Sequence, residues 1–140
     1  MPRKKRGRKV LVPPVIKGMS VFGIRGRRAQ EVFLLFEEYE AIRLLDYRGM
    51  TQEEAAVHME VSRPTLTRIY EDARQKVARA FVEGRDILIR GGDFFFEENW
   101  HKCYSCNASF SSYDNNGSIT CPVCGSDNIK SLNEHYQKKA

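Results

Sequence analysis

Through the middle of the chain, apolar residues recur at helical spacing. In "EEYEAIRLLDY", Ala41, Ile42, Leu44 and Leu45 share one side, which predicts a helix over about 37–47 that stops near Gly49. "TQEEAAVHM" predicts a short second helix ending near Met59, with Thr51 and Glu54 forming a capping box. A third helix opens at "SRPTLTRIY". Its apolar stripe is Leu66, Ile69, Tyr70, Ala73, Val77, Ala80 and Phe81, and it stops before Gly84. Pro64 fits the first turn, whose N–H groups lack helical partners. It also disfavours helical geometry at Arg63, so both Ser62 and Arg63 qualify as the cap. A short apolar run, "VFLLF", precedes these helices. "RDILIRGG" follows them and reads as a strand ended by a hinge-like Gly pair. Beyond residue 92 the helical pattern fades. "NASFSSY" and "SIT" read as strands around a "DNNG" turn, "SDNIKSL" as a third strand, and "DFFFEENW" as strand and core of the same segment.

Two helices joined by so short a turn, the second beginning Ser-Arg-x-Thr, have the pattern of a DNA-binding helix-turn-helix. Ala55, Ala56 and Met59 would face inward, Val61 would plug the turn, and Leu66 and Ile69 would pack from the second helix. Pro64, Thr67, Arg68, Glu71 and Gln75 then point outward, with Ser62, Arg63 and Thr65 at the N-terminal tip. Arg63 and Arg68 could each make a paired contact to a guanine edge, worth roughly 1–3 kcal/mol of discrimination. Glu60 stands where the turn needs positive φ, at a cost of about 1 kcal/mol for a residue with a side chain. The bland alternative is a helical bundle with an exposed arginine face.

Charge adds a second element. The net charge of +5 conceals ten Lys/Arg and no Asp or Glu among residues 1–30, leaving 13 basic against all 18 acidic residues for the rest. Arg3, Lys4, Lys5, Arg6, Arg8 and Lys9 fall in "PRKKRGRK" alone. Such an arm reads as a polyanion binder following phosphates, and otherwise as a solubilising tail. Little regular structure is expected in it when free. No apolar run approaches the roughly 18–20 residues that span a bilayer. The start resembles a signal peptide only superficially, since Pro13 and Pro14 break its apolar part, so a cytoplasmic location is expected.

The four cysteines, Cys103-x2-Cys106 and Cys121-x2-Cys124, have zinc-ribbon spacing. One structural zinc ion is expected, with iron open on ligand type alone. Two disulfides do not suit a cytoplasmic chain, and no βαβ context supports thioredoxin-like chemistry. His101 is a spare ligand that a complete four-cysteine set does not need. Residues 91–140 are net negative, which favours a structural, dimerising or partner-binding role over nucleic-acid binding. There is no Ser/His/Asp set, Gly-rich phosphate loop or evident pair of catalytic carboxylates, so an enzyme is not expected.

"MPRKKRGRKV", "EEYEAIRLLDYRGMTQEEAAVHMEVSRPTLTRIYEDARQKVARAFVEG" and "LIRGG" together resemble domain-of-unknown-function family 134, over about residues 1–92. The resemblance implies small prokaryotic DNA-binding proteins whose helix-turn-helix is similar to region four of sigma-70 factors. It implies a transcription-regulatory role without a known target. Glu60 departs from the family's usual Gly, and the cysteine region lies outside the resemblance.

The expected architecture is a mainly α helix-turn-helix domain with a short strand or two, plus a small β zinc ribbon. Its parts are a basic arm (1–30), the DNA-binding domain (31–92) and the ribbon (93–140). The expected partner is double-stranded DNA, with a homodimer compatible and no membrane association. The alternatives are a non-enzymatic adaptor whose ribbon contacts RNA polymerase or another protein, and an RNA-binding protein.

Overall fold

The structure is a computed structural model and describes residues 7–24, 29–112 and 118–136. The chain divides into two compact units, residues 1–94 and 95–140.

In the first unit, β1 (Arg8–Lys9) and β2 (Gly18–Met19) precede β3 (Val32–Leu34). Helix α1 (Phe36–Ile42) follows, and its continuation Arg43–Tyr47 widens into a π-helical turn. Next come α2 (Gln52–Met59), α3 (Arg63–Glu83) and β4 (Ile87–Ile89); β5 (Phe94–Phe95) straddles the boundary at residue 94. The sheet order is β2-β4-β3. β3 and β4 are parallel, with Val32 opposite Ile87 and Leu34 opposite Ile89. A parallel pair needs a long connection, and the three helices supply it. β2 runs antiparallel to β4, with Gly18 opposite Leu88. A Cβ at Gly18 would strike the Ile87 carbonyl oxygen, so only glycine allows this approach.

The helices pack around Ala41, Leu44, Ala55, Ala56, Met59, Leu66 and Ile69, with Leu11, Leu45, Met50, Val61 and Tyr70 against them. On α3 the buried stripe continues through Ala73 and Ala80. Small residues there suit the contact of α3 with α1 and β3. Two expected members of the stripe differ: Val77 is 37% exposed and Phe81 86% exposed. At about 100° per residue, Phe81 points well away from the buried Ala80 beside it. The cap of α3 is Ser62, and Gly84 ends the helix at φ 67°.

The basic arm is partly built into this unit. Val10 is fully buried, and the Leu11 N–H donates to Glu40 Oε2 at 2.6 Å. Three acidic residues of α1 are buried, and each has a partner. Glu38 Oε1 accepts from the Leu35 N–H (2.9 Å) and Lys76 Nζ (2.7 Å). Glu40 Oε1 accepts from Arg43 Nε at 2.6 Å. Glu37 Oε2 accepts from the Asp93 N–H at 3.2 Å, and burial pushes its carboxyl above the usual range.

The second unit holds β6 (Trp100–Cys103), β7 (Ser109–Ser111), β8 (Ile129–Ser131) and a short helix, α4 (Leu132–Tyr136). Both neighbours of β6 run antiparallel to it, in the order β7-β6-β8. The strands expected in "NASFSSY" and "SDNIKSL" are present. Residues 118–120, "SIT", are not a strand, and "WHKC" supplies the central one instead. The "DNNG" turn lies outside the described residues. Asn133 clamps the Phe96 backbone from both sides, accepting its N–H and donating to its carbonyl, each at 2.8 Å.

Candidate nucleic-acid interface and metal centre

The α2–α3 pair is built locally. Thr51 Oγ1 accepts the Glu54 N–H at 3.1 Å, and Glu54 reaches back to the Thr51 N–H at 3.4 Å, which closes the expected capping box. At the far end Glu60 takes the left-handed conformation, φ 56° and ψ 44°. This lets the Val61 N–H reach the Ala56 carbonyl at 3.0 Å and turns Val61 onto the core. Ser62 Oγ then accepts the Thr65 N–H at 3.3 Å and starts α3.

The first turns of α3 present Arg63, Pro64 and Arg68 to solvent, with Thr65 and Thr67 half-buried. Arg63 lies 3.2 Å from Glu53 Oε1, both side chains largely exposed. Thr67 Oγ1 donates to Gln52 Oε1 at 2.6 Å, and Arg68 makes only a long 3.5 Å contact to Thr65 Oγ1. The start of α2 therefore meets both Arg63 and Thr67. The sequence carried no signal for that, because Gln52 and Glu53 read simply as the first turn of a helix.

Of the arm residues, Arg8 lies 3.6 Å from Asp93 and Lys9 3.8 Å from Glu60. Lys9 thus sits against the turn between α2 and α3. Arg3, Lys4, Lys5 and Arg6 lie outside the described residues.

In the second unit the structure brings all four cysteines together. Every pair of sulfurs lies within 4.8 Å, with Cys103–Cys124 and Cys106–Cys121 both at 3.6 Å. Four thiolates around zinc at about 2.3 Å would be roughly 3.8 Å apart, so the set has the right size for a tetrahedral ion. The two knuckles repeat one design. The Asn107 N–H donates to the Cys103 carbonyl (2.9 Å) and the Gly125 N–H to the Cys121 carbonyl (2.8 Å), with φ of 65° and 76° four residues after each first cysteine.

Cys103 and Cys121 are buried, while Cys106 and Cys124 lie at the surface. Burial alone would push the Cys103 thiol up, but backbone N–H groups of Cys106 and Ser105 and its sulfur neighbours outweigh this and draw it down to about 6. Its neighbour Cys106 is pushed up to about 12, since the backbone N–H of Ala108, which lowers it, is outweighed by partial desolvation and the adjacent sulfurs. A bound cation would relieve this crowding of negative charge. His101 is buried against Phe110, with ring centroids 5.6 Å apart, and burial lowers its pKa. It is not among the residues of the cluster.

No helix among the described residues is long and apolar enough to cross a membrane. No solved structure matches the chain. The chain is similar to a UPF0251 protein of Chloroherpeton thalassium, 36% identical over 132 residues, covering 94% of this chain and 87% of that one. It is 44% identical over 110 residues to a UPF0251 protein of Halothermothrix orenii (79% and 82% covered). A UPF0251 protein of Methanothermobacter thermautotrophicus is 39% identical over 129 residues (92% and 67%). A match over 132 of 140 residues extends past residue 124, so similarity to these relatives reaches into the cysteine unit. The family described as "Protein of unknown function DUF134" matches residues 1–97, and with these relatives it shows that the chain belongs to the DUF134 family.

Proposed function

We propose that this protein binds double-stranded DNA and regulates transcription, with α2 and α3 acting as a helix-turn-helix. In this reading the N-terminal turn of α3 enters the major groove, Arg63 and Arg68 read base edges, and the basic arm follows the phosphates. The observation that carries it is the position of Lys9 beside Glu60 at the α2–α3 turn. The arm therefore meets the body at the turn that leads into α3 and its exposed Arg63, so a single duplex could engage both. Affinity would come mainly from the arm, because the body from residue 31 onward is net negative.

The cysteine unit would hold one structural zinc ion through Cys103, Cys106, Cys121 and Cys124. Its apolar core is small, comprising Cys103, Phe110 and Cys121 with Ala108, Ile119 and Ile129 against them. A core of that size needs a staple. A second reading, an adaptor contacting another protein through this unit, is favoured by Val123, which is 73% exposed between the ligands of the second knuckle.

Selection of duplexes from a random pool tests the proposal. A defined motif is expected, and Arg68→Ala should relax preference at one position of it, costing roughly 1–3 kcal/mol. Selection without enrichment, or an Arg68→Ala variant with unchanged preference, would refute the reading helix.

A further inference from the structure

The outward side of α3 changes character along its length. Its first turns expose Arg63 and Arg68, whereas its last turns expose Phe81 (86%) and Val82 (80%). Residues 19–24 run to the same end of the helix. Met19 pairs with Ile87, the Val21 N–H donates to Asp86 Oδ1 at 2.8 Å, and Ile24 Cδ1 lies where a Cβ on Gly84 would meet it at 2.6 Å. Phe22, between Val21 and Ile24, is 95% exposed, and Met19 is 63% exposed.

We infer that this apolar end of α3 is the contact surface for a second copy of the chain, paired about a two-fold axis beside Phe81. Covering Phe22 and Phe81 would bury roughly 300–450 Å² on each copy. Adding Val82 and Met19 brings the apolar area to roughly 400–600 Å². That matches the largest patches monomers leave open, and with a polar rim it approaches the roughly 800 Å² per partner of a stable interface. A two-fold contact sets the same surface of each copy against itself, so that Phe81 faces its own counterpart.

The geometry also fits the proposed DNA reading, on which the functional consequence rests. Thr65 and Phe81 are separated by about 24 Å of helix. Two such arms joined at Phe81 span up to about 48 Å, so their tips can reach half-sites about 34 Å apart, one helical turn. The recognised DNA would be an inverted repeat.

Sedimentation of the full-length protein without DNA, at concentrations up to about 100 µM, tests the contact. The wild type should self-associate into dimers. Phe81→Glu and Phe81→Lys should each weaken this by about 30-fold or more, with unchanged circular dichroism because the side chain is exposed. An equal mixture of the two variants should restore pairing. A wild type that stays monomeric, variants that dimerise as well as the wild type, or a mixture that stays monomeric would overturn the inference. The DNA reading is scored separately, by binding of the Phe81→Glu variant to a single half-site. A dimer that binds no duplex would leave this contact standing and remove the DNA reading.

Discussion

Glu60→Gly isolates the backbone of the α2–α3 turn. Glu60 sits at φ 56°, ψ 44°, a conformation that costs a residue with a Cβ about 1–2 kcal/mol. Glycine removes that strain but loses more freedom on folding, by about 0.5–1 kcal/mol. The net gain from the backbone is then about 1 kcal/mol or a little less. The substitution also removes the 3.8 Å pair with Lys9, whose Glu60 side chain is 57% exposed. Screening limits such a pair to a few tenths of a kcal/mol. Glu60→Ala is the control, since it loses the same pair and keeps the strain. The glycine variant should melt above the alanine variant by the backbone contribution. For a unit of this size, 1 kcal/mol moves Tm by roughly 4–8 °C. Melting followed by circular dichroism at 222 nm reads it, because the helices lie almost entirely in the first unit. An alanine variant as stable as the glycine variant would refute the argument, as it would mean that the turn does not hold residue 60 at positive φ.

Chelation of the metal should unfold residues 95–140 while the helical signal survives; Trp100, the one tryptophan and the first residue of β6, reports this by fluorescence. Protein with four free thiols and no bound metal would contradict it. Deleting residues 2–6 spares the buried Val10 and should flatten the salt dependence of DNA affinity. The log–log slope should fall by about 0.9 for each phosphate that the shortened arm no longer neutralises. An unchanged slope would reduce the arm to a tail. Burial raises the Glu37 carboxyl above 4.5, so its contribution to stability is fully present below the unfolded value and is lost as pH rises through the folded one. Glu37→Gln should therefore gain on the wild type from about pH 4.5 upward, and a difference in melting temperature that does not change with pH would count against this.

The three helices, the Thr51–Glu54 box, the left-handed Glu60 and the Cys103/Cys106/Cys121/Cys124 set were legible in the sequence. Each depends on residues close together in the chain or on ligand spacing. A cap acts over three residues, an αL turn over one or two, and a knuckle over four, so the sequence window contains the whole interaction. The fate of "EEYE" was not legible. Glu37, Glu38 and Glu40 look like a solvated first turn, yet all three are buried, and beside the local Leu35 and Arg43 each has a partner far along the chain, at Asp93, Lys76 and Leu11 respectively. The same holds for the pairing of β3 with β4 across the three helices, and for the strand role of "WHKC". Phe81 shows the limit in the other direction: it has the spacing of a core residue, but the packing of α3 on α1 and β3 sets which side of the helix is covered. Periodicity marks an apolar side, but only the packed neighbours decide how much of it is buried.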